Sequence, residues 1–458
     1  MKVIYIEKEI EDTGLINLTG INSFSDLLFN RSTLLKRLLR SFDNKIEVER
    51  CEDIGAENGL ERKIFWTSNV TFVNHEIQQL FLRKLDLIDQ DVLYGDKNGF
   101  IFKGSGRCLQ FILEGNLDHI DLDFLPLNNE NNLRVIRTFK DYKNLIVHLP
   151  ESRHFNSLEV KEGWINKKST NQLKILREFN QLQNIPSELK DFFVKSKNYI
   201  EAGKESCYDV ERIDGVDLSL MLLSNQISDE FLEGILKKLE IYLNITKKIK
   251  PEVTKEPTEF LIKKNHERYD LFTQWEGFKI VQEFLVNNSD FNGLDELFAE
   301  VNELISNKST EINKLGLIYS HGDLCFSNIL LDDDTENLKL IDPRGEGKAG
   351  AYLSPYYDLA KISHSILGGY DHIINNQAEI DFNRKMLARL EFSYQLNIHE
   401  GMFKKFIHNL GYKYQIVRLI EISLFISMLP LHIEDTKKVS MLGLRSIELL
   451  NHYLNTYH

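Results

Sequence analysis

The sequence predicts the α/β (α+β) fold class, in a chain of three parts. Over the first 145 residues, short apolar runs typical of strands alternate with segments of helical periodicity, as in an α/β layer. From residue 146 consecutive strand-like segments precede one helix, and after residue 216 apolar residues recur mainly at helical spacing. We therefore predict an α/β domain over 1–145, a β-rich lobe over 146–215 and a helical lobe over 216–458.

The N-terminal part contains five recognisable elements. The apolar run 2–6 predicts a first strand, and 24–42 has helical spacing with Ser32 or Thr33 as a helix cap. A strand is expected near 45–49 and a helix over 74–85. Residues 92–102 predict a hairpin, because Asp96–Gly99 has the composition of a tight turn between two apolar runs.

The remaining segments are predicted from the same periodicities. Strands are expected at 145–150 and within 156–170, with turns at 150–155 and near Gly163, and then a helix over 171–184 that Pro186 ends. Residues 208–222 predict a strand and a connection between two lobes. Later helices are expected to begin at Ser228 and to cover 257–287, 293–306, 383–395, 401–409, 413–429 and 437–456.

Composition and charge exclude several classes of protein. The net charge of −13 argues against a nucleic-acid surface, which needs a basic stripe. The four cysteines form no C-x-x-C pair, which is typical of thiols in a reducing cytoplasm, and the N-terminus lacks the pattern of a signal peptide. The most apolar run, 415–431, contains Arg418, Glu421 and Pro430. It predicts a buried core helix and no membrane insertion.

The densest chemical signal lies between residues 317 and 345. His321-Gly322-Asp323 is followed by Asn328, five positions after the aspartate, and then by an apolar triplet. An acidic turn at 332–337 leads to a second strand over 338–341, which ends at Asp342. Because a hairpin returns the chain to its starting point, Asn328 and Asp342 are expected to lie side by side at its base.

These residue types suit phosphoryl transfer from a nucleotide. One carboxylate orients or accepts the proton of the attacking hydroxyl, while an asparagine and a second aspartate hold Mg²⁺ against the phosphates. Asp323 would take the first role, and Asn328 and Asp342 the second, since Mg²⁺ prefers oxygen ligands. The alternative is an ordinary hairpin with one satisfied histidine and two solvated carboxylates.

The motif HGDLCFSN…LID resembles the aminoglycoside phosphotransferase/choline kinase superfamily, which has a protein-kinase-like fold. Its longer form, HGDLCFSNIL…LIDPRG, resembles phosphotransferases of bacterial surface-polysaccharide loci. The resemblance implies two lobes with ATP between them, Mg²⁺ on Asn328 and Asp342, and a catalytic aspartate at Asp323. His321 belongs to the same catalytic loop and is expected to support it.

The resemblance implies further residues on other segments. A lysine on the third strand contacts the phosphates and a glutamate on the next helix holds it; the candidates are Lys168, or Lys167, and Glu178. Glu211 to Ile213 is the expected hinge segment for the adenine. By the same resemblance Asp358, in the sequence Tyr-Asp-Leu-Ala at 357–360, braces the catalytic loop.

The loop after Asp342 contains two cationic residues, for which there are two interpretations. Arg344 and Lys348 can neutralise phosphate or an anionic substrate, or they are solvated loop charges.

The first 145 residues distantly resemble sugar nucleotidyltransferases, in LINLTGINSFSDLLFNRSTLLKRLL, FWTSNVTF and VLYGDKNGFIF. That family places a glycine-rich phosphate loop after the first strand. Here the position reads EKEIEDTGL, and its acidic residues disfavour a triphosphate. We therefore expect a structural or sugar-binding appendage.

The sequence as a whole predicts a cytoplasmic, ATP- and Mg²⁺-dependent kinase of a small-molecule hydroxyl, with a sugar or another building block of a surface polysaccharide as acceptor. Three alternatives remain. They are a bifunctional kinase and nucleotidyltransferase, a catalytically silent kinase-shaped binding protein, and a protein kinase. H-G-D in place of H-R-D, and no visible A-P-E segment, argue against the last.

Overall fold

The computed structural model describes most of the chain. The described residues are 2–13, 15–16, 23–29, 32–40, 47–51, 61–73, 75–116, 123–125, 133–147, 156–224, 227–252, 256–332, 335–345, 351–383, 387–392 and 395–457. The predicted turn at 150–155 and the loop cation Lys348 lie outside these residues. The chain divides into two compact units, residues 1–151 with 224–226 and residues 152–223 with 227–458.

The first unit alternates strands and helices, as expected for an α/β layer. Its elements in chain order are β1 Lys2–Ile6, β2 Leu28–Phe29, β3 Ser32–Thr33, α1 Leu34–Arg40, β4 Glu47–Cys51, β5 Arg62–Thr67, β6 Val70–Phe72, α2 His75–Asp86, β7 Val92–Asp96, β8 Gly99–Ser105, α3 Gly106–Glu114, β9 Asp123–Leu125, β10 Leu133–Val135 and α4 Phe139–Val147.

A six-stranded mixed sheet forms the centre of this unit, in the order β4-β1-β5-β8-β7-β9. β1 runs parallel to β4 and β5, and β8 runs antiparallel between β5 and β7. Alternate residues of β1 belong to two different apolar clusters. Val3 and Tyr5 pack in the first cluster, and Ile4 and Ile6 pack in the second. β1 is therefore apolar at almost every position because both faces of the sheet are covered.

Two predictions for this unit are corrected. The helix expected over 24–42 begins only at Leu34, where Thr33 Oγ1 accepts from the Lys36 N–H at 3.2 Å and caps it. The strand expected at 145–150 is helical as far as Val147. The backbone N–H of Thr138 donates to the Asp141 side chain at 3.1 Å, which caps the start of α4. The helix then continues through the apolar residues for which a strand was expected.

The second unit begins with a four-stranded antiparallel sheet, in the order β11-β12-β14-β13. Its strands are β11 Asn156–Lys161, β12 Trp164–Ser169, β13 Ser196–Ala202 and β14 Glu205–Glu211. Helix α5, Gln172–Gln183, follows β12 and buries Ile175, Glu178 and Leu182, the face predicted from the sequence. Asn171 caps its first turn, accepting from the Lys174 N–H at 3.2 Å.

The rest of the second unit is mainly helical, with short strands around the motif. The elements are β15 Gly215–Asp217, α6 Leu218–Leu223, α7 Asp229–Thr246, α8 Pro257–Thr273, α9 Phe278–Val286, α10 Leu294–Asn307, α11 Ser309–Asn313, β16 Ile318–Tyr319, β17 Ile329–Asp332, β18 Leu338–Leu340, β19 Tyr352–Leu353, α12 Pro355–Ile366, α13 Tyr370–Ile374, β20 Ala378–Phe382, β21 Ala388–Phe392, α14 Glu400–Asn409, α15 Tyr414–Met428 and α16 Thr436–Tyr457.

The apolar run predicted as a core helix forms α15, which packs between α12 and α16. Within the described residues, the window Tyr414–Leu431 is long and apolar enough to cross a membrane, but most of it is buried inside the protein. The helix expected over 383–395 is wrong, since β20 and β21 pair antiparallel there with Asp381 opposite Arg389. An ion pair of 2.9 Å between these two side chains favours the strand pairing.

Histidines buried in the helical core make stability depend on pH. The Nδ1–H of His364 donates to the Lys361 carbonyl at 2.8 Å, and its ring stacks on Tyr370. Burial, with the Lys361 ammonium adding to it, lowers the pKa of His364 to about 3. Burial lowers the pKa of His372 to about 4. An unfolded histidine takes up its proton near pH 6.5, so acid favours the unfolded chain.

We therefore expect the free energy of unfolding to fall as the pH drops from 7.5 to 5.0, by about 2 kcal/mol for each such histidine. The urea midpoint at the two pH values measures the loss. His364→Gln should remove about one histidine's share of the difference, whereas His266→Gln, on an exposed residue, should leave it unchanged. Equal pH dependence in both variants would contradict the assignment.

Candidate active site

The predicted hairpin forms from β17 and β18, with Ile329 opposite Leu340. The Ile341 N–H donates to the Asn328 carbonyl at 3.0 Å, so the strands stay paired to the hairpin base. Asp342 follows with a φ of 52°, a left-handed conformation that few residues other than glycine adopt. Asn328 and Asp342 therefore flank the last backbone hydrogen bond of the hairpin, and their joint role as metal ligands stays a prediction.

Asp358, at the start of α12, holds the catalytic loop by three hydrogen bonds. Its carboxylate accepts from Ser320 Oγ at 2.7 Å and from the backbone N–H groups of His321 and Gly322 at 2.9 and 2.8 Å. Asp358 is buried. These bonds confirm the bracing role expected for this residue, because they fix the backbone immediately before Asp323.

His321 supports the loop from within the protein. Its Nε2 donates to the Ile341 carbonyl at 2.9 Å, and its Nδ1 accepts from the Asp323 N–H at 3.2 Å. The ring is fully buried and stacks on Phe193. Burial lowers the pKa of His321 and favours the neutral ring. Both ring nitrogens of His321 are therefore hydrogen-bonded to backbone groups, and a catalytic role for this residue stays a prediction.

The structure resolves the choice between the two candidate lysines by their faces on β12. Lys167 Nζ lies 2.8 Å from Glu178 Oε2 and 2.9 Å from Asp342 Oδ1, and its side chain is 4% exposed. Lys168 points to the opposite face, where its half-exposed side chain reaches Glu159 at 3.5 Å. The lysine that meets Glu178 is therefore Lys167, and the preference for Lys168 is corrected.

Charges around Lys167 determine how it and Asp342 titrate. Burial alone would lower the pKa of Lys167, but the Asp342 and Glu178 carboxylates raise it above the ordinary value. Burial would raise the pKa of Asp342, yet the Lys167 ammonium lowers it. The Asp342 side chain keeps about half of its surface, 47%, in contact with solvent. The lysine is therefore held as a cation and the aspartate as an anion that can still bind a ligand.

Asp323 is held by a lysine that the sequence reasoning did not select. Lys361 Nζ, on α12, lies 2.8 Å from Asp323 Oδ1. Lys361 follows Asp358 by three positions and therefore shares its helical face. That spacing could have predicted the contact between Lys361 and the loop. If Asp358 faces the loop, the residue three positions later on the helix faces it as well. Burial would lower the pKa of Lys361, but the Asp323 carboxylate raises it.

The expected hinge residues lie at the end of the four-stranded sheet. Glu211 is the last residue of β14, and its N–H already donates to the Lys195 carbonyl at 2.8 Å. The next N–H, of Arg212, donates to the Gly163 carbonyl. Ile213 lies in the connection to β15 and is half-buried. Of the two predicted residues, Ile213 is the better placed to offer backbone groups, and contact with adenine stays a prediction.

The residues present fit a Mg²⁺ site. The Asn328 amide nitrogen donates to the Asp323 carbonyl at 2.8 Å, which leaves the amide oxygen as the ligand atom. The half-exposed Asp342 carboxylate supplies a second oxygen, and Lys167 occupies only one side of it. No group of three histidine, cysteine or acidic side chains suited to a metal occurs in the described part of the chain. Mg²⁺ usually takes one or two carboxylates and completes its coordination with water or phosphate oxygens, so two side-chain ligands are compatible with such a site.

Comparisons with known proteins find solved structures of a thermostable mutant of aminoglycoside phosphotransferase APH(4)-Ia. Its complex with ADP and hygromycin B has a TM-score of 0.42 and 10% identity, over 66% of this chain and 92% of that one. Its complex with AMP-PNP and hygromycin B has a TM-score of 0.42 and 11% identity, over 66% of this chain and 92% of that one. Its apo form has a TM-score of 0.41 and 11% identity, over 68% of this chain and 94% of that one.

No family model and no curated protein sequence matches the chain. At these identities and TM-scores the structural likeness is too weak to carry a functional argument.

The two adjacent lysines allow a matched stability test. Lys167→Met leaves the buried Glu178 carboxylate with Lys174, 3.3 Å away, as its remaining ion-pair partner. We expect this change to lower the free energy of unfolding by about 3 kcal/mol, the cost of breaking a buried ion pair. Lys168→Met should change it by less than about 0.5 kcal/mol. Urea denaturation followed by tryptophan fluorescence measures both, and equal midpoints would disprove the assignment of Lys167.

Proposed function

We propose that this protein is an ATP- and Mg²⁺-dependent phosphotransferase that acts on a hydroxyl group of a small metabolite. The observation that carries the proposal is the convergence of distant segments on one hairpin. Lys167 lies 2.8 Å from Glu178 and 2.9 Å from Asp342, and the Asn328 amide is 2.8 Å from the Asp323 carbonyl. Phosphoryl transfer needs this combination of a phosphate-binding cation, oxygen ligands and a nearby carboxylate.

In the proposed reaction the γ-phosphoryl group of ATP passes to the acceptor hydroxyl. A bond forms between the acceptor oxygen and the γ-phosphorus, the bond to the β–γ bridging oxygen breaks, and ADP leaves. Asp323 aligns the hydroxyl and accepts its proton, while Lys167 steadies the nucleotide phosphates. Asn328 and Asp342 would hold Mg²⁺, whose charge offsets that of the phosphates. Positioning and charge neutralisation supply most of the rate enhancement.

The proposed acceptor is a sugar or another building block of a surface polysaccharide. The support for this class is the sequence HGDLCFSNIL…LIDPRG, which resembles phosphotransferases of such loci. We propose the cytoplasm as the compartment, where ATP is available. Two of the three solved structures described above are complexes with hygromycin B, which is a property of that phosphotransferase.

For the first unit we propose a structural or sugar-binding role. A bifunctional enzyme would instead release pyrophosphate from a nucleoside triphosphate and a sugar phosphate. A silent binding protein is disfavoured, because Asp323, Asn328 and Asp342 are all present at the hairpin. Labelling of proteins in a lysate with radioactive ATP would reveal a protein kinase.

Asp323→Asn tests the catalytic carboxylate. The change keeps the shape of the side chain but removes its capacity to accept a proton, so we expect phosphoryl transfer to fall by about 10³-fold. Mg·ATP binding, measured by calorimetry, should stay nearly unchanged. Release of ADP over a panel of sugars, polyols and their phosphates reports transfer, with the exposed Asp290→Asn as control. Equal turnover in wild type and Asp323→Asn would remove Asp323 from the mechanism.

Asp342→Ala tests the metal site and the position of the nucleotide. We expect ATP binding in the presence of Mg²⁺ to weaken by about tenfold or more, because a carboxylate ligand is lost. Chelation of Mg²⁺ should weaken wild-type binding in the same way and should have little further effect on the variant. Calorimetric binding that needs neither Mg²⁺ nor Asp342 would place the nucleotide elsewhere.

A further inference from the structure

Three cationic side chains from separate segments meet around Tyr357, next to Asp323. Arg344 Nη1 and Lys264 Nζ both donate to the Tyr357 hydroxyl oxygen, at 2.8 and 3.0 Å. Lys361, one helical turn after Tyr357 on α12, lies 2.8 Å from Asp323. We call Lys264, Arg344 and Lys361 the cation cluster. Lys361 connects the cation cluster to Asp323, whereas Lys167 contacts Asp342.

Among the residues that the structure describes, one carboxylate, that of Asp323, lies within ion-pair distance of the three cations of the cluster. Asp323 pairs with Lys361, but in the described part of the chain neither Lys264 nor Arg344 has a carboxylate within ion-pair distance. Both instead donate to a tyrosine oxygen. A lysine ammonium has three donors and a guanidinium five, so both keep hydrogen atoms for a ligand.

The pKa values of Tyr357 and Lys264 are shifted by the cations around them. Burial alone would raise the pKa of Tyr357, yet Lys264, Arg344 and Lys361 lower it to about 8. Burial, together with its two cationic neighbours, lowers the pKa of Lys264 to about 8. An anion placed among these groups would relieve their mutual repulsion.

The cation cluster is held in place before any ligand arrives. The Arg344 guanidinium lies 4.9 Å from the centroid of the Phe260 ring, and its backbone N–H donates to the His321 carbonyl at 2.9 Å. Gly322 has a φ of 78°, and a Cβ there would lie 2.6 Å from Arg344 Cβ. The glycine of the H-G-D motif therefore lets Arg344 lie against the catalytic loop, beside Asp323.

We propose that the cation cluster binds a phosphate monoester on the acceptor, so that the substrate is a sugar phosphate or polyol phosphate and its free hydroxyl is aligned by Asp323. Lys264 and Arg344, which pair with no carboxylate within the described ranges, match the two negative charges of such a group. This inference rests on the proposed function for the identity of the reaction, but the binding of the anion does not depend on transfer.

The first experiment measures binding without nucleotide. Inorganic phosphate and glucose 6-phosphate are titrated into the full chain, with glucose as the neutral probe, and followed by calorimetry. We expect Lys264→Met to weaken binding of glucose 6-phosphate and of inorganic phosphate by about tenfold, the value of a charge-assisted hydrogen bond. Lys264→Arg should restore most of it. Lys263→Met is the matched control, because Lys263 is adjacent on α8 and 72% exposed.

A folding defect is separated from a binding defect by the urea midpoint of each variant. Loss of the Lys264 cation removes repulsion, so Lys264→Met should unfold at a midpoint no lower than that of Lys263→Met. If the midpoint of Lys264→Met does fall, the affinity of Lys264→Arg for glucose 6-phosphate tests the site. Restored affinity supports the site, and affinity as weak as in Lys264→Met overturns it. Wild-type binding that is equal for glucose and its phosphate, or unchanged in Lys264→Met, also overturns it.

The second experiment compares turnover of neutral and phosphorylated acceptors by ADP release. Faster turnover of the phosphates, with a preference that falls about tenfold in Lys264→Met, supports the proposal. Turnover of neutral or carboxylated acceptors at least as fast overturns it while leaving the phosphotransferase assignment intact. Absence of Mg·ATP binding in wild type contradicts the proposed function instead, and the anion titration then judges the cation cluster by itself.

Discussion

The arrangement of the second unit depends on the two ion pairs that the ammonium group of Lys167 makes. A buried charge is costly unless it is paired, and Lys167 is paired twice, with Glu178 at 2.8 Å and Asp342 at 2.9 Å. The three residues lie on β12, on α5 and after β18. One cation therefore holds the sheet, the helix and the hairpin in a single register. Any movement of the hairpin away from the sheet would leave charge uncompensated.

A second constraint, the buried Asp358 carboxylate, holds the loop before Asp323 in the same way. It accepts hydrogen bonds from two backbone N–H groups and one hydroxyl, which attach the loop to the start of α12. The same helix presents Lys361 to Asp323. The Asp342 carboxylate contacts Lys167, and Asp323 contacts Lys361, so each carboxylate of the hairpin base has its own cation.

The local part of this site could be predicted from sequence because its residues are neighbours on one hairpin. Asp323, Asn328 and Asp342 are related by a short loop and a tight return, and the structure pairs Asn328 with Ile341 as that topology requires. The choice between Lys167 and Lys168 could not be made, because alternation along a strand says which residues share a face but not which face meets the helix. Strands were also missed at 388–392, where cross-strand pairing overrides helical propensity.

The sequence by itself determined the buried strand β1, the buried face of helix α5 and the hairpin with its Asp, Asn and Asp. These follow from short-range periodicity and turn chemistry, which neighbouring residues decide together. Only the tertiary structure decided that Lys167 meets Asp342, and that Lys264, Arg344 and Lys361 surround Tyr357. Lys167 and Asp342, and likewise Lys264 and Tyr357, are far apart in the chain. Their approach depends on how helices and sheets pack, and no local pattern encodes the partner that a charged side chain will find.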